Sequence, residues 1–371
     1  MTVAAHDTLL LEEIPIRTHE KVVKVTDKAS GLVAIIAIHD TQLGPSLGGT
    51  RIYPYATFQD ALNDVLRLSR GMTHKSAIAE TAWGGGKSVI ISSPNKKVSE
   101  EQLLAFGAAL NTLKGAYIAA EDVGCTLEDL RIISTVSPYL VGIPNEKSSG
   151  DPCPYTAWGT FRGIQAVLKK IYQSESLVGH TIALQGVGSV GEKLTQLLFW
   201  HGAKLILSDV NKEKVERLAK FCHAQIVPTE KIHAVECTLF APCALGGILN
   251  PDTIPELKCR GVAGCANNQL LSDEDGEELM RRNILYAPDF VINAGGLINV
   301  TQETLEEGYN PFVARNRVDK IYDQLMLIFD IARKNNCSTQ KAAASLVDYR
   351  LKYGIGKRTE PVYLHHANMS Y

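Results

Sequence analysis

The 371-residue sequence lacks an excess of charge of either sign and lacks any apolar run of membrane-spanning length. Its formal net charge of −2 argues against nucleic acid or an anionic membrane as the main partner, because both attract strongly basic surfaces. The longest apolar runs, such as residues 32–38, have the length of a strand, whereas a membrane-spanning helix needs about 20 apolar residues. Asp7, Glu12 and Glu13 stand where a signal peptide would need a basic start and an unbroken apolar core. We therefore expect a cytoplasmic protein with no membrane partner.

Cysteine and histidine are present, but in no pattern typical of a metal site. The eight cysteines stand singly, with no C-x-x-C pair, and most lie in apolar or strand-like segments such as residues 240–243. The ten histidines show no ligand spacing either. This pattern predicts buried, reduced thiols, as in cytoplasmic proteins, and no bound metal.

The length of the chain predicts two domains, because it exceeds the size of one ordinary hydrophobic core. Hydrophobic residues make up 45% and charged residues 21%, as in soluble globular proteins. Alternating strand-like and helix-like segments predict an α/β fold, and the Gly-, Pro- and Ser-rich residues 139–156 predict a hinge. We therefore expect a first domain over residues 1–145 and a second over residues 146–339, with residues 340–371 returning to the first.

Hydrophobic periodicity predicts the elements of both domains. The first domain should contain a hairpin of residues 21–25 and 31–39, strands at 51–53, 88–91 and 117–120, and helices at 58–71 and 101–113. The second should contain strands near 181–184, 205–207, 238–241, 261–263 and 290–292, a helix ending near 200, and helices at 313–334 and 339–352.

The most informative segment, residues 181–210, reads as strand, glycine-rich turn, helix and strand. Its turn fits G-x-G-x-x-G, and these glycines allow a tight turn, close approach of a pyrophosphate and close packing of the helix. The turn consists of Gly186, Val187, Gly188, Ser189, Val190 and Gly191. The helix N-terminus offers unpaired N–H groups to phosphates. The alternative is a turn that only packs a helix on a sheet.

Asp209 ends the second strand of this segment, about 20 residues after the first glycine, where an acid accepts hydrogen bonds from the adenosine ribose. A carboxylate at this position repels the additional phosphate of NADP. The segment therefore predicts a Rossmann-type unit that binds NAD.

A second unusual group of residues lies in the first domain. Lys75 and Lys87 stand near each other in sequence, and Lys87 directly follows three glycines at 84–86, which leave room for a substrate. If both lysines lie at neighbouring strand ends, one can hold a carboxylate and the other, desolvated, can act as a base. Asp122, just after the strand predicted at residues 117–120, supplies a carboxylate at the same kind of position. Taken alone, the residues favour a plainer interpretation, in which the lysines are solvated surface residues and Asp122 is a strand-end or helix-capping acid.

Nine sequence blocks then follow one another along nearly the whole chain. They are GPSLGGTR (44–51), GMTHKSA (71–77), GGGKSVI (84–90), AEDVG (120–124), SSGDPCPYTAWG (148–159), QGVGSVG (185–191), APCALGG (241–247), ANNQL (266–270) and YAPDFVINAGGLINV (286–300). In these blocks and their order, the chain resembles the amino-acid dehydrogenases of the glutamate/leucine/phenylalanine/valine family.

The resemblance implies an N-terminal α/β domain for substrate and oligomerisation, and a Rossmann-type NAD-binding domain, with a cleft between them. It implies reversible, NAD-dependent oxidative deamination of an L-amino acid to its 2-oxo acid and ammonia by a homo-oligomer, an octamer or smaller. By the same resemblance Lys75 holds the substrate carboxylate, Lys87 polarises the carbonyl and activates water, and Asp122 relays protons at the amino group.

Further site residues follow from the resemblance alone. Asn268 completes the carboxylate site and borders the cofactor, and Thr156 lies beside the nicotinamide carboxamide. Cys243 and Ala244 line the cofactor site.

The predicted substrate pocket is apolar. Leu47 stands where glutamate-specific members of the family carry a lysine that meets the side-chain carboxylate, and Gly48 follows it. A pocket floored by Leu47, Ala120, Leu297 and Val300 would desolvate a second carboxylate without a partner, at a cost of several kcal/mol. Branched aliphatic amino acids are therefore expected. An aromatic amino acid remains the alternative, and a non-catalytic NAD-sensing protein is disfavoured because the catalytic lysine and acid are present.

Overall fold

The computed structural model describes residues 8–94 and 97–368, which form two compact units. Unit 1 takes the chain up to Gly150, then Val300–Asn310 and the chain from Arg350, and unit 2 takes Asp151–Asn299 and Pro311–Tyr349. The sequence placed the boundary at residue 145 and returned residues 340–371 to the first domain. The division in the structure lies at residue 150, adds Val300–Asn310 to unit 1 and leaves residues 340–349 in unit 2.

Unit 1 is built on a mixed sheet. Its elements are strands β1 (Leu9–Glu13), β2 (Lys21–Asp27), β3 (Leu32–Asp40), β4 (Ser46–Tyr53), β5 (Gly84–Ile91) and β6 (Tyr117–Glu121), and helices α1 (Phe58–Ile78), α2 (Glu100–Thr112) and α3 (Leu127–Ser134). The strand order is β1-β2-β3-β5-β4-β6. Strands β1, β2, β3 and β5 pair antiparallel in that order, and β4 runs parallel to both β5 and β6. The predicted hairpin of β2 and β3 is confirmed.

Both faces of this sheet are covered by helices, which explains the continuous apolar run of β3. Ile35 and Ala37 pack with α1 on one face, whereas Ile36 and Ile38 pack with α2 and α3 on the other. Because successive strand residues point to opposite faces, a strand between two helical layers has no polar positions.

Strands β4 and β5 are longer than predicted, because the sequence indicated strands only at residues 51–53 and 88–91 and their glycines hid the rest. Glycine has low β propensity, yet both strands include their glycines. A Cβ at Gly48 of β4 would overlap the carbonyl oxygen of Gly86 on β5. Close approach of the two backbones is therefore the reason for glycine here.

Helix α1 was predicted to end at Gly71, because glycine commonly terminates helices. It continues to Ile78. Its C-terminus is capped by the buried Arg350, whose Nη1 donates to the carbonyl oxygens of Ala77 at 3.0 Å and Ile78 at 2.7 Å. Lys75 consequently lies in the last turn of a helix and not at a strand end, which corrects the prediction.

Unit 2 contains a parallel sheet of β7 (Thr181–Gln185), β8 (Lys204–Ser208), β9 (Gln225–Ile226), β10 (Leu239–Pro242), β11 (Gly261–Val262) and β12 (Leu285–Tyr286). Its helices are α4 (Cys153–Tyr172), α5 (Ser189–Trp200), α6 (Lys212–Cys222), α7 (Asp273–Arg281), α8 (Asp289–Ile292), α9 (Gly295–Thr301), α10 (Pro311–Asp319), α11 (Ile321–Asn335) and α12 (Thr339–Tyr353), of which α9 and α12 run on into unit 1. The order β12-β11-β10-β7-β8-β9 is that of a dinucleotide-binding sheet, and it reverses between β7 and β10, where ligands bind. The predicted α/β fold with a Rossmann-type domain is confirmed.

Two element predictions in this unit were wrong. Residues 290–292 form helix α8, and the strand lies earlier, at β12. A short apolar run fits either conformation. Pro288 precedes the helix, and the Asp289 carboxylate accepts a hydrogen bond from the Phe290 amide at 2.7 Å. Residues 313–334 form two helices, α10 and α11, separated at Lys320, where the sequence carries neither glycine nor proline.

Candidate active site

Lys87 lies inside strand β5, and its ammonium group is buried. The side chain is 7% exposed, and Nζ donates a hydrogen bond to Oδ2 of Asp122 at 2.8 Å. The sequence placed Lys87 after a glycine turn, but the three glycines belong to the same extended strand. Burial lowers the pKa of Lys87, and the ion pair with Asp122 opposes this shift without cancelling it. Such a lysine can lose its proton at lower pH than usual and act as a base.

The Asp122 carboxylate, directly after β6, is shared by two cations. Arg51 of β4 donates from Nε to the same Oδ2 at 3.0 Å and from Nη1 to Oδ2 of Asp64 at 2.9 Å. The Tyr55 hydroxyl also donates to Oδ2 of Asp64, at 2.6 Å. Burial works to raise the pKa of Asp122, but Lys87 and Arg51 outweigh it and hold that pKa below its ordinary value.

Sequence reasoning missed Arg51, Asp64 and Tyr55. Arg51 is the last residue of the GPSLGGTR block, which is the only signal that pointed to it. The ion pairs join residues that are far apart in sequence, and no periodicity reveals such contacts.

Gly49 was also missed, although its neighbour Gly48 was predicted. A Cβ at Gly49 would lie 2.7 Å from the Asp122 Cβ and 3.1 Å from the Lys87 Nζ. Gly48 presents its carbonyl oxygen to the buried hydroxyl of Tyr117, which donates to it at 2.8 Å. Glycine at both positions lets β4 pass close to the buried ion pair.

The other predicted substrate residues are divided between the two units. Leu47, in β4, is 1% exposed and pairs with Gly85 and Ile118 on its neighbouring strands. Unit 1 also holds Lys75, Ala120 and Val300, and unit 2 holds Asn268 and Leu297.

The glycine-rich turn has the geometry that a dinucleotide needs. Gly186 has φ +93°, and a Cβ there would lie 2.8 Å from the Cβ of Ala244. A Cβ at Gly191, in the first turn of α5, would overlap the carbonyl oxygen of Gly186. Gly188, the N-cap of α5, would meet no protein atom within 4 Å. Its glycine therefore serves the approach of a ligand and not the packing of the protein.

Asp209 lies against this turn. Its Oδ2 accepts a hydrogen bond from the Val187 amide at 2.6 Å and its Oδ1 one from Asn211 at 2.8 Å. At the carboxyl ends of β7 and β8, the buried Gln185 Oε1 and Ser208 Oγ have no hydrogen-bond partner among the described residues. The glycine-rich turn, the Asp209 carboxylate and these polar atoms together fit NAD.

The remaining predicted cofactor residues all lie in unit 2. Thr156 is in the first turn of α4, and a Cβ at Gly296 would lie 2.8 Å from its Oγ1. Cys243 follows β10, and its amide donates to the Gln185 carbonyl at 2.7 Å. Asn268 is exposed and has φ +51°. Ser189 and Val190 open helix α5.

Two features are absent from the described residues. These residues contain no group of three or more His, Cys, Asp or Glu residues that could hold a metal ion. They also contain no helix long and apolar enough to cross a membrane.

Two family models match the chain. Residues 16–137 match the Glu/Leu/Phe/Val dehydrogenase dimerisation domain, and residues 205–351 match the Glutamate/Leucine/Phenylalanine/Valine dehydrogenase model.

Relatives with different substrates in their names resemble the chain almost equally. Leucine dehydrogenase of Geobacillus stearothermophilus is 48% identical over 90% of this chain and 91% of its own length. L-tryptophan dehydrogenase of Nostoc punctiforme is 45% identical over 92% and 96%, and its crystal structure superposes with a TM-score of 0.81, covering 91% of this chain and 97% of that one at 43% identity. Phenylalanine dehydrogenase of Caldalkalibacillus thermarum is 42% identical over 91% and 92%.

The role of Asp209 in cofactor choice can be tested by Asp209→Asn, which keeps the acceptor geometry but removes the charge. We expect the wild type to bind NAD more tightly than NADP by about an order of magnitude or more, and the variant to narrow this gap because repulsion of the 2′-phosphate is lost. Dissociation constants for both nucleotides would be measured by calorimetry, with the exposed Asp252→Asn as control. Equal affinities in the wild type would contradict this role.

Proposed function

Because the chain belongs to the glutamate/leucine/phenylalanine/valine dehydrogenase family, it is an NAD-dependent enzyme that oxidises the CH–NH2 group of an amino acid, and we propose that it is a leucine dehydrogenase. Leucine, and also valine and isoleucine, are converted reversibly to the 2-oxo acid and ammonia. The buried Lys87–Asp122 pair beside Gly49 is the observation that carries the catalytic part of this proposal.

In the proposed mechanism the residues of unit 1 handle the protons. Lys75 holds the substrate carboxylate as a fixed cation. Asp122 takes a proton from the substrate ammonium, and Lys87, in its neutral form, deprotonates the water that attacks the imine carbon. Bound NAD would accept the hydride from Cα. Burial of Lys87 keeps its neutral form accessible, and Arg51 keeps Asp122 ionised.

Leu47 supports an aliphatic substrate. A glutamate side chain would need a cation here, and a leucine that is 1% exposed offers only apolar surface. Ala120, Leu297 and Val300 add small or aliphatic side chains to the proposed pocket, and Asn268 is proposed to complete the carboxylate site. The second candidate is an aromatic amino acid, which is favoured by relatives that are named as tryptophan and phenylalanine dehydrogenases. Small pocket changes of about 1–3 kcal/mol separate such substrates.

The enzyme is further proposed to act in the cytoplasm as a homo-oligomer, with an octamer expected from the family resemblance. The match of residues 16–137 to a dimerisation domain supports subunit contacts through unit 1. The eight cysteines, none of which forms a disulfide, support a reducing compartment.

The two lysines should give different kinetic signatures. Lys87→Ala should reduce kcat by about three orders of magnitude or more while leaving the Kd for NAD nearly unchanged, because the glycine-rich turn lies in the other unit. Lys75→Ala should mainly raise KM for leucine. Lys24→Ala, on the same sheet but paired with Glu12 near the surface, is the control. Residual Lys87→Ala activity within about tenfold of wild type, or an unchanged KM in Lys75→Ala, would remove the respective role.

Arg51 should affect the pH dependence of kcat/KM. Since its charge lowers the pKa of Lys87, Arg51→Gln should raise that pKa and move the alkaline rise of kcat/KM to higher pH. Arg51→Lys should restore part of the shift. Arg67→Gln is the matched control, because Arg67 also donates to Asp64, at 3.0 Å, but is exposed. A profile that moves equally in both glutamine variants would show an indirect effect of Asp64.

Substrate choice is tested by kcat/KM for leucine, valine, isoleucine, phenylalanine, tryptophan and glutamate with NAD. Leucine should be best and glutamate slower by about a hundredfold or more. Leu47→Lys should lose leucine activity because an ammonium enters an apolar site, whereas the volume-conserving Leu47→Met should retain it. Glutamate as the best substrate would contradict the proposed pocket, and phenylalanine or tryptophan as the best would establish the second candidate.

A further inference from the structure

Unit 2 places four of the eight cysteines in two pairs at opposite ends of the neighbouring strands β10 and β11. The register of these strands sets Cys237 opposite Cys259 just before them. Cys243 and Cys265 follow the same strands at their carboxyl ends. Both pairs are reduced in the structure, but only the second lies at the end of the sheet where the glycine-rich turn is found.

The Cys243 and Cys265 thiols lie close enough that Cys243 helps to raise the pKa of Cys265. The backbones are drawn together at this point, since the Ala266 amide donates to the Pro242 carbonyl at 3.0 Å and a Cβ at Gly264 would lie 2.7 Å from the Pro242 carbonyl carbon. Neighbouring strands of a sheet lie about 4.7–4.9 Å apart, within the roughly 4.4–6.8 Å Cα separation that a disulfide spans. An S–S bond can therefore form here with little backbone movement.

The two thiols have different surroundings. Cys243 is half-buried and lies against the first turn of α5, because a Cβ at Gly191 would lie 3.7 Å from the Cys243 Cβ. The positive end of a helix stabilises a thiolate. The neighbouring Cys243 thiol, together with burial, raises the pKa of the Cys265 thiol, so Cys265 retains its proton. Cys243 is thus the nucleophile of the pair and Cys265 the resolving thiol.

We propose that Cys243 and Cys265 form a site of reversible oxidation that controls cofactor binding, with hydrogen peroxide as the oxidant. The Cys243 thiolate attacks one peroxide oxygen, the O–O bond breaks, and a sulfenic acid and hydroxide result. The Cys265 sulfur then displaces the hydroxyl from the Cys243 sulfur, and its proton leaves with that hydroxyl as water. Two thiols lose two electrons in total, and one peroxide becomes two waters. A small dithiol reverses the reaction by exchange.

Oxidation should affect the nucleotide site through Ala244, the residue after Cys243. Ala244 packs on the turn, with its Cβ 2.8 Å from where a Gly186 Cβ would lie. Pulling the Cys243 sulfur toward β11 alters this contact and the first turn of α5. Oxidised protein should therefore bind NAD more weakly. By linkage, bound NAD should shift the thiol–disulfide equilibrium toward the two thiols.

The experiment treats the purified full-length protein with hydrogen peroxide, then measures disulfides by peptide mass spectrometry and the Kd for NAD by calorimetry. The wild type should lose two hydrogen atoms from the linked Cys243 and Cys265 peptides. Its NAD affinity should fall about tenfold, and dithiothreitol should restore it. Cys265→Ser should form no such disulfide and should accumulate a sulfenic acid at Cys243 that a dimedone probe labels. If the serine variant folds poorly, Cys265→Ala replaces it, provided that its thermal stability matches that of the wild type.

Cys259→Ser is the matched control, because it breaks the other pair on the same two strands. It should respond to peroxide as the wild type does. Three outcomes would each overturn the proposal. The first is that Cys259→Ser protects the protein from peroxide, and the second is an unchanged Kd for NAD in the disulfide-linked protein. The third is a disulfide that involves Cys153, which lies close enough to Cys265 to affect its pKa. Because NAD binding is the readout, the result does not depend on which amino acid is the substrate.

Discussion

Unit 1 is organised around one buried ion pair, Lys87 with Asp122. A lysine that is 7% exposed would cost several kcal/mol if it were charged and unpaired, and removal of one partner from a buried pair typically destabilises a protein by about 3–5 kcal/mol. The sheet must therefore supply a carboxylate where the ammonium group ends. The order β5-β4-β6 does so, because Lys87 lies in β5 and Asp122 directly after β6, with only one strand between them. Arg51 on that intervening strand completes the arrangement by binding the same carboxylate oxygen.

The intervening strand explains the glycines that surround the pair. A lysine and an aspartate can meet across β4 only if β4 has no side chain between them, and Gly49 meets that requirement. Glycine is needed at position 48 for a different reason, because the β4 and β5 backbones approach each other closely there. The same two glycines weaken the strand signal in the sequence. The ion pair and the close approach of the backbones thus explain why the predicted β4 was too short.

The sequence predicted well where local pattern and tertiary role agree. The strand–turn–helix–strand unit around Gly186 was found because periodicity, glycine spacing and the acid Asp209 all lie within one short segment. Prediction failed where long-range contacts decide. Helix α1, for example, passes Gly71 and ends where Arg350 caps its C-terminus. The partners of Asp122 come from β4 and β5, and no local pattern brings Arg51 to it.

The cap on α1 has a consequence for biosynthesis. Arg350 belongs to the third segment of unit 1, which the chain reaches only after both segments of unit 2. During translation the carbonyl groups of Ala77 and Ile78 lack this partner until nearly the whole chain has left the ribosome. The end of the helix that carries Lys75 is therefore completed last, although its residues are made early. A nascent or truncated chain that stops before residue 350 contains every strand of the second sheet, but its helix α1 lacks the guanidinium group that caps it.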